Sequence, residues 1–184
     1  MKEKNRIFES IFEWIEELSF AVVVLIVLFS CFFRIVTVQG SSMYDNYIDG
    51  DRLITTTCQS NYDIGDVVVI LDALENPIIK RVIATEGQTV DIDNETGILY
   101  IDGEAFDNTV YNVENGITYY DRYAYEETID YPQTVPEGCV FVLGDNRLVS
   151  KDSRYAEVGM IDTRKILGKA LLRIYPFSSF GIAE

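Results

Sequence analysis

The sequence predicts a mainly β protein: an N-terminal transmembrane helix followed by a largely antiparallel β domain. Three observations lead there. A charge-free apolar run covers Leu18 to Phe33. From Ile35 onward, short segments rich in Val, Ile, Tyr and Thr recur, the composition that suits a pleated, half-buried surface. Between them lie turn signals such as Asn94-Glu95-Thr96-Gly97, Asp102-Gly103 and Pro136-Glu137-Gly138, where Gly, Pro, Asn and Asp supply special backbone angles. With 184 residues, 48% of them hydrophobic, the chain is long enough for one packed domain and an anchor.

Each segment follows in order. Residues 1–17 form a cytoplasmic amphipathic lead-in: Ile7, Ile11, Trp14, Ile15 and Leu18 recur at helical spacing, with Trp14 suited to the membrane interface. Residues 18–38 form the membrane anchor and its exit. The uncharged stretch is slightly shorter than the ~20 residues of an ideal span, which tilt and interfacial flanks make up. A cleaved signal peptide is the competing reading, but its apolar region starts nearer Met1 and ends in small residues; here the run ends in Phe32-Phe33-Arg34. A buried core helix is the other, though a helix apolar all round is unusual in a small soluble domain. Lys2, Lys4 and Arg6 precede the span, so the N-terminus is expected in the cytoplasm and residues 39–184 outside it.

Within 39–184, strands are expected at Arg52–Thr57, Asp66–Leu71, Ile78–Thr85, Thr89–Ile92, Ile98–Ile101, Cys139–Leu143 and Ala170–Tyr175. Ile98–Ile101 and the residues after Asp102-Gly103 read as a hairpin. Residues 108–133, polar and rich in tyrosine, read as a variable excursion from the sheet.

Composition also excludes functions. Thirty acidic residues against 15 basic give a formal charge of −15, which opposes sequence-independent nucleic-acid binding, because phosphate contacts need a Lys/Arg surplus. Histidine is absent, so a Ser-His-Asp triad and His-ligated zinc are both excluded. The three cysteines, Cys31, Cys58 and Cys139, make no CxxC motif. Cys58 and Cys139 can pair only in an oxidising compartment, and both states remain open.

Three places can hold chemistry. In Gly40-Ser41-Ser42-Met43, Ser42 is a candidate nucleophile on a turn; a polar linker is the bland alternative. In Ile78–Ala84, the period of two puts Ile78, Lys80 and Val82 on one face of a strand. Desolvation there lowers a lysine pKa, and a neutral lysine is a general base. The alternative is an edge-strand lysine that guards against aggregation. Third, Gly144-Asp145-Asn146-Arg147 and Ser150-Lys151-Asp152-Ser153-Arg154 follow an apolar strand; short polar residues so placed either fix a site or form a solvated turn.

Taken together, in this order and spacing, these segments resemble type I signal peptidases, the membrane-bound Ser/Lys proteases, in their short Gram-positive-like form. The resemblance covers nearly the whole chain and rests on the anchor, GSSM, KRVIA, VPEGCVFVLGDNR, SKDSR, Gly168-Lys169-Ala170 and Arg173-Ile174-Tyr175-Pro176. It implies Ser42 as nucleophile, Lys80 as general base and Ser150 as the hydroxyl that orients the lysine amine. Arg81 with Asp145 and Asp152 with Arg154 correspond to structural ion pairs, and Met43 to a residue of the substrate cleft. The Ser42 backbone N–H is the implied oxyanion donor; where some relatives carry a hydroxyl for a second, this chain has Gly40. The implied fold is a folded antiparallel sheet or barrel with its catalytic face near the membrane. The implied activity is removal of signal peptides from secreted preproteins after small residues, through an acyl-enzyme. No metal, cofactor or nucleic acid is implied; the partners are preproteins and the lipid bilayer, in a single-pass protein of the cell membrane.

One departure stands out. The family usually continues Ser-Met-x-Pro-Thr-Leu, whereas this chain has Ser42-Met43-Tyr44-Asp45-Asn46-Tyr47. The missing proline removes a constraint on the backbone beside the nucleophile. It lends some weight to a catalytically weak or silent factor that binds or assembles secreted or pilus-type proteins. A self-cleaving repressor-type Ser/Lys protein is a third reading, opposed by the anchor and the acidic charge.

Overall fold

The computed structural model describes residues 2–57, 59, 61–93, 95–118 and 129–183. It divides into two units, Met1–Arg34 and Ile35–Glu184. The first is the helix α1, Lys2–Phe32, of which Phe12–Phe32 is long and apolar enough to cross a membrane. The lead-in and the span are thus one continuous helix. It ends at Phe32, within a residue of the end of the charge-free run, and Phe33–Thr37 turn extended as the strand β1.

The second unit is built from two sheets. The larger has eight strands in the order β1-β2-β11-β3-β4-β9-β10, with β12 beside β11. Here β2 is Arg52–Thr56, β3 Val67–Ile70, β4 Ile78–Thr85, β9 Cys139–Leu143, β10 Ile161–Asp162, β11 Ile166–Tyr175 and β12 Gly181–Ile182. The smaller runs β7-β6-β5-β8, with β5 at Thr89–Asp93, β6 at Ile98–Ile101, β7 at Glu104–Ala105 and β8 at Gln133–Thr134. The expected hairpin is present: Tyr100 faces Ala105 and Ile101 faces Glu104. Asp102 and Gly103 at its tip both have positive φ, 54° and 81°, the pair of angles a tight turn of this hand requires.

β11 starts at Ile166, earlier than the expected Ala170, because Gly168 and Lys169 hide the apolar pattern of its first residues from the sequence. A Cβ at Gly168 would lie 2.0 Å from the Thr56 carbonyl oxygen. Glycine therefore lets β11 cross closely over the end of β2 while it also pairs with β3.

β4 is an inner strand, antiparallel to β3 on one side and β9 on the other. That removes the edge-strand reading of Lys80. Three apolar clusters hold the sheets. One gathers Val38, Met43, Tyr47, Leu53, Val67, Val69 and Ile79; a second centres on Val68, Val82 and Val142. The third packs Ile83, Phe141 and Leu143 of the large sheet against Val90, Ile92 and Leu99 of the small one. The excursion at 108–133 is described only in part. Asn108–Tyr111 is a 3₁₀ turn capped by the Asp107 side chain, while Tyr119, Tyr120, Tyr123 and Tyr125, like Cys58, lie outside the described residues.

Candidate active site

The strand β4 presents Lys80 with 2% of its surface exposed. Its Nζ donates to Ser42 Oγ at 2.8 Å and to the Ile79 carbonyl at 3.0 Å. Burial is the main influence on its pKa, pushing it down to about 8; Asp152 and Asp145 act upward and Arg154 downward. Ser42 is half-buried. Its carbonyl oxygen accepts from the Asn146 N–H at 3.0 Å, and the carbonyl of Ser41 accepts from Asn146 Nδ2 at 3.1 Å. Its own backbone N–H makes no hydrogen bond among the described residues.

The second wall is the loop that leaves β9. Asp152 and Arg154 are fully buried and paired at 2.8 Å. Burial alone would raise the Asp152 pKa, but the adjoining guanidinium and the hydrogen bonds it accepts hold it low. Asp152 also accepts from the Gly144 N–H at 3.0 Å, and Arg154 Nη2 donates to the carbonyls of Arg147 and Ser150 at 2.8 and 3.1 Å. The ion pair thus spans both ends of the loop 144–150. Arg81, next to Lys80 in sequence, points away from it and forms a fork with Asp145 at 2.8 and 2.7 Å. A third donation, at 2.8 Å, reaches the Gly65 carbonyl, and the guanidinium lies 4.6 Å from the centre of the Tyr111 ring. Such two-point pairs are strong and fix orientation.

All the residues expected at the site lie around this centre, with two differences of contact. Ser150 is buried, and its hydroxyl is close enough to Asp152 to help hold that carboxyl low; among the described residues the expected bond to the lysine amine is not formed, and Lys80 Nζ donates instead to Ser42 Oγ and the Ile79 carbonyl. Met43, expected at the substrate cleft, is 1% exposed and packs with Val38, Tyr47 and Leu53. It supports the nucleophile turn from below and offers no open surface.

Gly144, which sequence reasoning named within the polar loop but gave no role, has one in the structure. A Cβ there would lie 2.2 Å from Ser150 Oγ and 2.5 Å from the Ser42 carbonyl oxygen. The residue is glycine because the Ser150 side chain and the Ser42 backbone close on the same point. Among the described residues, no group of His, Cys, Asp and Glu is arranged to hold a metal.

A hydroxyl held against a desolvated amine can perform acyl transfer without histidine, since the neutral amine can take the hydroxyl proton. That is the chemistry of a Ser/Lys hydrolase. The match to the family model for signal peptidase, peptidase S26, spans residues 11–175. Signal peptidase IB of Staphylococcus aureus strain COL is 33% identical over 183 residues, covering 94% of this chain and 93% of its own. Signal peptidase I of Bacillus licheniformis is 34% identical over 175 residues, covering 92% and 91%. A crystal structure of a signal peptidase I from Enterococcus faecalis V583 aligns at 30% identity with a TM-score of 0.44, covering 59% of this chain and 96% of that one. This chain belongs to the signal peptidase family, peptidase S26. It is a serine endopeptidase.

Proposed function

We propose that this protein removes signal peptides from secreted preproteins with Ser42 as nucleophile and Lys80 as general base. The observation that carries the assignment is the 2.8 Å contact between Lys80 Nζ and Ser42 Oγ, made by a buried amine whose pKa is lowered to about 8. At neutral pH a useful fraction of such an amine is unprotonated, and its acidity lies near the working pH, as efficient proton transfer requires.

The steps balance as follows. As Ser42 Oγ bonds to the scissile carbonyl carbon, its proton passes to Lys80 Nζ. The tetrahedral oxyanion takes a hydrogen bond from the Ser42 N–H, which makes no other hydrogen bond among the described residues. When the intermediate collapses, the C–N bond breaks and the Lys80 ammonium returns its proton to the departing amine. Water then attacks the acyl-enzyme and gives its proton to Lys80, and Ser42 leaves with a proton restored. Ser150 lies across Gly144 from the Ser42 backbone; the resemblance implies it as the hydroxyl that orients the lysine, a role it would take up only by a bond to Lys80 that this geometry does not form. The Arg81–Asp145 and Asp152–Arg154 pairs hold the strand and the loop. The substrate is an extended segment with small residues, alanine above all, one and three positions before the cut, docked by backbone hydrogen bonds. The apolar helix anchors the protein by a single pass, with residues 1–17 cytoplasmic and residues 39–184 outside. A purely binding role gives no reason to hold a lysine in a desolvated site against a hydroxyl.

The test is cleavage of a preprotein with an Ala-X-Ala site by the full-length protein in detergent. The wild type cuts after the second alanine, and Ser42→Ala and Lys80→Ala each lose at least a thousandfold in rate. Cutting that survives in either variant contradicts the assignment.

A further inference from the structure

The turn after the nucleophile lacks the family's Pro-Thr-Leu, yet it is held from several sides. Asn46 is the centre of those contacts. Its Nδ2 donates to Asp145 Oδ2 at 2.8 Å and to the Tyr111 carbonyl at 2.6 Å. Its Oδ1 accepts from Asn112 Nδ2 at 3.1 Å, and its own carbonyl accepts from Arg173 Nη1 at 2.7 Å. Both amide protons and the side-chain oxygen are therefore used, which leaves the side chain one orientation.

The partners matter more than their number. Asp145 Oδ2 receives Asn46 and also Arg81 Nη2, at 2.7 Å; Arg81 is the residue after Lys80 on β4. The next residue, Asn146, donates its N–H to the Ser42 carbonyl. Two consecutive residues of one loop thus clamp the turn at both ends, Ser42 and Asn46. One carboxylate oxygen ties that turn to the strand that carries the lysine. Inside the turn, the Tyr47 N–H returns to the Met43 carbonyl at 2.8 Å.

We propose that Asn46 is a positioning residue for Ser42: through Asp145 its amide fixes the nucleophile turn against the strand that carries Lys80. This rests on the peptidase reading above and deepens it. Asn46 supplies by hydrogen bonding the constraint that a proline supplies by its ring. Misplacement of a reacting group by about an ångström costs on the order of a hundredfold in rate, so the amide is worth a measurable part of kcat.

Two variants test it, each in the full-length protein. Asn46→Ala deletes the amide. Asn46→Asp keeps the size but turns an acceptor toward the Asp145 carboxylate and the Tyr111 carbonyl. For both, kcat falls about 10- to 100-fold with KM within threefold of wild type and the melting temperature within a few degrees; the Asp variant is the worse. Independently of activity, amide exchange at Tyr47 quickens at least tenfold while exchange in β4 and β9 is unchanged. Unaltered kcat and unaltered Tyr47 exchange overturn the inference, as does a uniform rise in exchange across β4 and β9, which marks a merely structural residue. A wild type without Ser42-dependent cleavage overturns the peptidase reading and the catalytic part of this one; faster Tyr47 exchange alone then shows only a pinned turn.

Discussion

Lys80 is a buried amine with no carboxylate at contact distance among the described residues; its hydrogen bonds go to a hydroxyl and a carbonyl. Burial lowers its pKa from 10.5 to about 8. The consequence for stability has a definite sign. Between pH 8 and 10.5 the unfolded chain binds a proton that the folded chain has released, so stability rises with pH over that window. Below pH 8 both states are protonated and the folded state bears the whole cost, on the order of 3 kcal/mol at about 1.4 kcal/mol per unit. Lys80→Met removes the charge and keeps much of the volume. The variant is inactive, yet it melts higher than the wild type at pH 7, and the difference narrows toward pH 10. Differential scanning calorimetry at the two pH values reads this directly, and a lower melting temperature for the variant at pH 7 contradicts the account. At this scale the sequence was partly legible. The period of two gave Lys80 apolar neighbours, and Ser150 and both ion pairs came only through the family resemblance, which also singled out Ser42. The sequence did not reveal that Met43 is buried or that, among the described residues, Ser150 makes no bond to Lys80, because both depend on how the turn and the loop meet in space. Nor did it distinguish Asn46, whose four contacts lie 65, 99, 66 and 127 residues away in the chain.

At the scale of elements, the site is the meeting of β4, the turn 41–47 and the loop 144–154. β4 brings Lys80 because it is inner and both its faces are covered. The loop brings Ser150 because Asp152 and Arg154 draw its two ends together without contact to water. Gly144 is where turn and loop touch. In Gly144→Ala a methyl group would have to displace Ser150 Oγ, Ser150 Cβ and the Ser42 carbonyl oxygen, all within 2.5 Å. One of these contacts is backbone, so a rotamer change cannot relieve the clash. We expect cleavage to fall at least a hundredfold and the melting temperature to drop by several degrees, as overpacked sites lose on the order of 1–3 kcal/mol. Wild-type rates in Gly144→Ala would show that turn and loop do not meet as described. The longer strands were legible from composition and turn signals; the two-residue β8, β10 and β12 are too short to leave a periodic pattern, β1 merges with the end of the apolar run, and the start of β11, Ile166–Lys169, mixes glycine and lysine into the pattern. A close approach of two backbones leaves no such trace, since any loop glycine reads alike until its neighbours are known.

The whole molecule pairs an apolar helix with a β unit that carries every residue of the proposed site. The helix was legible as a charge-free run whose end lies within a residue of Phe32, and the aromatic and β-branched residues of Phe33–Thr37, which suit hydropathy and strand propensity alike, go to the strand through sheet pairing. The absence of histidine shapes the pH response of the entire protein. A catalyst built on imidazole would reach full rate near neutrality; one built on a desolvated amine gains activity well above it. The most direct measurement is therefore the pH dependence of kcat/KM for the full-length protein in detergent, on one preprotein substrate, from pH 6 to 10. The account predicts a tenfold rise per pH unit below a midpoint near 8, the value set by Lys80 burial, and a plateau above it. A rate that is flat across this range, or that falls as pH rises from 6 to 8, would contradict Lys80 as the base.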